Sequence, residues 1–191
     1  MASALRCAVV LGSTRRVRIG PRVAAFVTER LERRGIEADV LDPVTAEGGY
    51  FMRLLEKPHF HYKDGEEVPA ELSSVASRIA SADAYIIVSP EMNHALPPGL
   101  TNMMSHFGSS LYSFKPSGIC VYSAGCAPVS AAVHIAKVQS QFKEGGTVEP
   151  LVERTCERML DQLEWYARAL KAHRDEHGAP SQSYFKQVRQ G

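Results

Sequence analysis

Helical segments alternating with short apolar strands predict an α/β fold: a doubly wound parallel sheet in a three-layer α/β/α arrangement with four or five strands. Three observations carry this reading. Residues 5–11 (LRCAVVL), 84–88 (AYIIV) and 118–122 (GICVY) are apolar without alternation, as strands covered on both faces of a parallel sheet are. The segments between them repeat apolar residues at helical spacing. The chain has 191 residues, 45% hydrophobic and 23% charged, which suits one domain over residues 1–191 with a sizeable core.

The first strand runs directly into Gly12-Ser13-Thr14-Arg15-Arg16-Val17-Arg18-Ile19-Gly20-Pro21. A helix follows over about 21–34. Pro21 suits its first turn, Val23, Phe26, Val27, Arg30 and Leu31 share a stripe, and Gly35 stops it. Residues 36–41 (IEADVL) alternate as a second strand does, and Asp42-Pro43 ends it. Residues 44–70 are a long connection containing Gly48, Gly49, Pro58, His59, His61, Gly65 and Pro69; connections of this length in a compact domain are often functional. A short helix over 71–82 leads to the third strand and the loop 90–98. The next helix runs over 100–107; on the plain reading the 90–98 loop is structural and caps it, with Thr101 or Asn102 as the cap. Met103, Met104 and Phe107 on it suit the core, or alternatively a subunit interface. A last helix over about 150–173 carries Leu151, Val152, Thr155, Met159, Leu163, Tyr166 and Leu170 as a core stripe.

In such a sheet a ligand sits beyond the carboxyl ends of the strands. Three loops lie there. In the first, Gly12 lets the chain turn and a ligand approach, and the helix start aims N–H groups at one spot. Ser13 and Thr14 add hydroxyls, and Arg15, Arg16 and Arg18 add forked donors. A phosphate monoester fits this set; a solvated basic turn is the plain alternative. The spacing is neither G-x-G-x-x-G nor G-K-[ST], which disfavours a dinucleotide Rossmann site and an NTPase. The second loop is stiffened by Pro90, Pro97 and Pro98. Its exposed amides, with Asn93 and His94, suit the edge of a planar heterocycle. The third, Ser123-Ala124-Gly125, is small enough for a flat ring to lie against.

Composition and other motifs exclude further classes. The net charge of +1 argues against a general nucleic-acid binder. No apolar stretch reaches membrane-span length, and the N-terminal run is too short for a signal peptide. Cys7, Cys120, Cys126 and Cys156 form no C-x-x-C pair, which reads as reduced, mostly buried thiols in a cytoplasmic protein. Cys126 has no cationic neighbour in sequence and reads as inert. His59 and His61 lack an enforced third metal ligand, although His94 and Asp64 are available. His173 to His177 spells H-x-x-E-H, but at a charged helix end before Gly178 and Pro180, where a buried zinc does not fit.

The stretches GSTRRVRIGPRVAAFV (12–27), SPEMNHALPPGLTNMMSHF (89–107) and VYSAG (121–125) resemble the NADPH-dependent FMN reductase family. The stretches 133–146 and 157–171 resemble that family's ending, so the likeness covers nearly the whole chain. It implies a flavodoxin-like fold and an FMN site. Gly12, Ser13, Arg15, Arg18, Ile19 and Gly20 would hold the phosphate. Pro90, Glu91, Met92 and Asn93 would line the ribityl chain and ring edge, and Ser123, Ala124 and Gly125 would meet the pyrimidine end. Met92 stands where the family usually has Tyr; it keeps contact through its sulfur and loses the hydroxyl. The resemblance implies hydride transfer from NADPH to flavin N5, and on to a quinone, azo compound or free flavin as small-molecule acceptor. No catalytic acid or base is needed. It also implies a homodimer or homotetramer.

The chain departs from the family after Gly125, where about twenty residues are absent and a parallel crossover needs roughly a dozen. Three explanations stay open: a segment missing from this sequence, a shortened isoform, or a helix over 128–142 that leaves four strands. The expected consequence is weaker FMN binding than in the family, measurable by isothermal titration. Two rivals follow: an electron carrier without NADPH turnover, and a non-enzymatic relative that has lost flavin. The missing acidic excess and the arginine-rich loop argue against the carrier.

Overall fold

The computed structural model describes residues 4–92, 95–122, 133–134 and 148–179. Five strands, β1 (Arg6–Leu11), β2 (Glu37–Leu41), β3 (Ala84–Pro90), β4 (Ser117–Tyr122) and β5 (Val133–His134), form one sheet in the order β2-β1-β3-β4-β5. Every pairing is parallel. This is the doubly wound, flavodoxin-like order, with a switch point between β1 and β3. Val133 and His134 pair with Cys120 and Val121. That corrects the alternative of a helix over 128–142 and a four-stranded sheet; residues 123–132 and 135–147 lie outside the described residues.

Helices cover both faces. On one side α1 (Gly20–Arg33) and α5 (Pro150–His177) enclose a core of Val9, Leu11, Val23, Val27, Leu31, Ile86, Val88, Cys120, Cys156 and Leu160. On the other, α2 (Ala70–Ser81), α3 (Pro98–Ser105) and the short α4 (Ser109–Tyr112) enclose Ala8, Val10, Leu72, Val75, Ile79, Leu100, Met103 and Phe107. Met103 and Phe107 are therefore core residues. The α5 stripe is rotated from the one predicted. Cys156, Leu160 and Ala167 complete it, whereas Leu151 and Tyr166 are 64% and 52% exposed. Over 28 residues a helix drifts across any fixed spacing, and here it must follow a twisted sheet. α5 approaches β4 closely at Gly118, where a Cβ would stand 2.9 Å from Met159 Sδ. Arg30 of α1 and Arg34, its C-cap, reach across to Glu153, Glu157, Asp161 and Glu164, fixing α1 beside α5.

Cys7, Cys120 and Cys156 are free and buried. Burial pushes the thiols of Cys7 and Cys156 up to about 12 and about 11, so neither is a thiolate near neutral pH. Cys126 lies outside the described residues. No helix among the described residues is long and apolar enough to cross a membrane. Nor do they contain a group of three or more His, Cys, Asp or Glu able to hold a metal.

Candidate functional site

The carboxyl ends of β1, β3 and β4 lie side by side, with Leu11 opposite Val88 and Pro90 opposite Tyr122. Gly12 begins the first loop. Its N–H donates to the Val88 carbonyl at 2.8 Å. A Cβ on Gly12 would stand 2.8 Å from Ser89 Oγ and 3.3 Å from Ser89 Cα, so the missing side chain is what lets the loop close against β3. Thr14 then seats its methyl on α3, where a Cβ on Gly99 would collide with it. The loop is thus pressed between two helix starts. Neither α1 nor α3 has a side-chain cap or an acidic residue in its first turn. Their free N–H groups and positive dipole ends are left without a carboxylate partner.

The single acid at the loop is already engaged. Arg18 donates through Nη1 to Asp42 Oδ1 at 3.0 Å and through Nη2 to Oδ2 at 2.6 Å, and each side chain is 11% exposed. Nη1 also donates to the Ser13 carbonyl. Arg18 therefore clasps the loop to the end of β2, with Nε–H and one Nη2 hydrogen unengaged among the described residues. Arg15 and Arg16 are exposed and have no ion pair among the described residues. Ser13 is buried.

Of the residues proposed from sequence, Gly12, Ser13, Arg15, Arg18, Ile19 and Gly20 share this one loop. Pro90, Glu91 and Met92 begin at the adjacent end of β3. Asn93, Ser123, Ala124 and Gly125 lie outside the described residues. The exposed amides expected of the second loop are corrected in part. Glu91 N–H donates to the Tyr122 carbonyl at 2.9 Å, and Met92 and Ala95 bond each other's carbonyls at 3.2 and 3.0 Å. A tight turn satisfies its own backbone, so these three amides are not available to a ring edge.

Two residues escaped the sequence reading. Neither Thr101 nor Asn102 caps α3; Pro97 occupies that position. Asn102 instead points out of α3 and accepts from Leu55 N–H at 3.0 Å while its Nδ2 donates to the carbonyls of Phe51 and Arg53. Tyr122 looked like a core aromatic ending a strand. Its ring is in the core, but its hydroxyl stands 2.9 Å from where Gly20 would carry a Cβ, at the first residue of α1. The available signal was position: the last residue of a central strand, just before the third loop.

The residues present fit an FMN phosphate. The loop is narrowed by Gly12, faces the uncapped start of α1, and holds unpaired arginine donors and no free carboxylate.

Residues 5–143 match the family model for NADPH-dependent FMN reductase. The NADH:(hydroxy)cinnamate reductase subunit CrdA of Vibrio ruber is 32% identical over 81 residues, a match spanning 41% of this chain and 40% of that protein. The apo form of the NADH:FMN oxidoreductase EmoB superposes with a TM-score of 0.64 at 15% identity, over 87% of this chain and 90% of that one. The NAD(P)H:(acceptor) oxidoreductase FerB of Paracoccus denitrificans superposes with a TM-score of 0.57 at 16% identity, over 89% and 99%. At such identities these two likenesses speak for the fold. The family match covers more than half of the sequence. The chain belongs to the NADPH-dependent FMN reductase family, whose members are oxidoreductase enzymes that use FMN and NAD(P)H.

Proposed function

We propose that this chain is an NAD(P)H-dependent FMN oxidoreductase that reduces a small acceptor, such as a quinone, an azo compound or free flavin. The observation that carries this is the 12–20 loop: two uncapped helix starts and unpaired arginines around a backbone that only glycine permits. FMN held there would supply the redox chemistry, as a hydride acceptor for NADPH and an electron donor to the acceptor.

The protein's own part is binding and orientation. Loop amides, the Ser13 hydroxyl, Arg15 and the unengaged N–H groups of Arg18 hold the phosphate. Gly20 and Ile19 present the start of α1. On the family resemblance, Pro90, Glu91, Met92 and Asn93 would line the ribityl chain and ring, and Ser123, Ala124 and Gly125 would meet the pyrimidine end. No side chain acts as a general acid or base, because hydride transfer needs none. Val17 and Leu96, 95% and 63% exposed on the first two loops, suit contact with an apolar acceptor or with a second subunit of a homodimer or homotetramer. Cytoplasmic residence agrees with three free buried thiols.

The test is reconstitution with FMN followed by anaerobic NADPH. Bleaching of the flavin absorbance, and its return on adding a quinone, is the expected result. Bound flavin that NADPH leaves oxidised would overturn the enzyme reading, and failure to retain FMN would overturn the site.

A further inference from the structure

Tyr122 carries a feature that the FMN reading alone does not require. Its side chain is 6% exposed, and its hydroxyl is sealed from solvent with no hydrogen-bond partner in good geometry among the described residues. A buried phenol almost always finds one, and leaving it without costs about 1–3 kcal/mol. The ring is fixed by the core between the sheet, α1 and α5. It delivers the oxygen to within 2.9 Å of the Cβ that Gly20 lacks, so a side chain at Gly20 would displace it. Burial raises the phenol to about 12, while the Ser13 hydroxyl and the charges of Arg18 and Arg15 pull it the other way. Those three side chains all belong to the 12–20 loop. The orphaned donor therefore lies beneath the part of the loop that faces an anion.

We propose that Tyr122 is a positioning residue for the FMN phosphate, donating its phenolic hydrogen to Ser13 Oγ so that the Ser13 hydroxyl hydrogen is directed at the phosphate. The inference rests on the FMN reading of this loop. Tyr122 does not touch the ligand, because its oxygen is sealed beneath Gly20. Ser13 is buried, and its hydroxyl is the loop group that bears on the phenol. An anion drawing on the Ser13 hydrogen turns the Ser13 lone pairs toward the phenol. The buried donor is then satisfied when the phosphate binds. The device recognises the phosphate monoester and is indifferent to the flavin ring.

The test compares FMN and riboflavin binding, by flavin fluorescence, in the wild type, Tyr122→Phe, Ser13→Ala and the double variant, alongside thermal unfolding without flavin. Tyr122→Phe is expected to weaken FMN binding about tenfold, leave riboflavin binding unchanged, and leave the flavin-free protein as stable as before or more so. In the Ser13→Ala background the same change is expected to have almost no further effect. Equal weakening of FMN and riboflavin, or a lower melting temperature without flavin, would show a packing role and overturn the inference. So would full additivity of the two substitutions. A wild type that binds neither flavin would instead overturn the FMN reading itself, and this inference with it.

Discussion

Two polypeptide stretches leave the carboxyl end of the sheet, and they dispose of their polar groups in opposite ways. The 12–20 loop is short, drawn tight by Gly12 against Ser89, and flanked by helix starts with no caps. The connection from Asp42 to Pro69 is long and turns its capacity inward. Phe51 is fully buried; Tyr50, Phe51 and His106 pack edge to face, and Phe107 lies tilted against Phe51. Asn102 ties the connection to α3 through Leu55, Phe51 and Arg53, and His59 N–H donates to the His106 carbonyl. Lys57 and Glu66 within it pair with each other. Length made the connection look functional in sequence. What separates the two is that the shorter one gathers its unpaired arginines at two uncapped helix starts.

Asn102→Ala breaks this contrast most directly if it is wrong. It strands one N–H and two carbonyls, and it is expected to cost about 3 kcal/mol in urea unfolding while FMN affinity stays within about twofold. A large loss of FMN affinity at modest loss of stability would mean that the connection belongs to the site.

Asp42 joins the two stretches: it opens the connection and holds Arg18. Asp42→Asn keeps the shape but removes the charge from a pair in which each side chain is 11% exposed. It is expected to cost about 2 kcal/mol of stability and to release Arg18 toward the phosphate, so that FMN binding is unchanged or tighter. Parallel loss of stability and affinity would show that Arg18 must be clasped to be useful. Gly12→Ala sits wholly on the other side of the contrast. The new methyl group meets Ser89 backbone, which cannot give way as a side-chain tip does. About 1.5 kcal/mol of stability and roughly tenfold in FMN Kd are expected to go together, read by melting and by flavin titration.

The sequence made the sheet legible because its central strands are apolar on both faces, a pattern that only a doubly covered sheet explains. It made the first loop legible for a similar reason: glycine, hydroxyls and arginines at a strand-to-helix turn leave few other uses. The pairing of Val133 and His134 with β4 was not legible, because two residues carry no periodicity. The Asn102 and Tyr122 roles were also hidden. An Asn within a helical pattern and a Tyr closing an apolar strand each look ordinary until the fold shows what their polar atoms face. The same limit applies to Arg18, whose charge is visible in the sequence and whose partner, 24 residues away, is not.

Arg15 gives the smallest effect and the sharpest reading of the contrast. It is exposed and has no ion pair among the described residues, so its removal disturbs no packing. Arg15→Gln is expected to leave stability within about 0.5 kcal/mol. If its guanidinium meets the phosphate, the loss is about 1 kcal/mol of FMN binding, roughly fivefold in Kd. That loss should shrink as salt rises, since the Debye length falls from about 10 Å at 0.1 M to about 3 Å at 1 M. Riboflavin, which lacks the phosphate, should bind both proteins alike. A salt-independent loss, or one shared with riboflavin, would make Arg15 a solvated charge on the loop and leave the phosphate to the amides, Ser13 and Arg18.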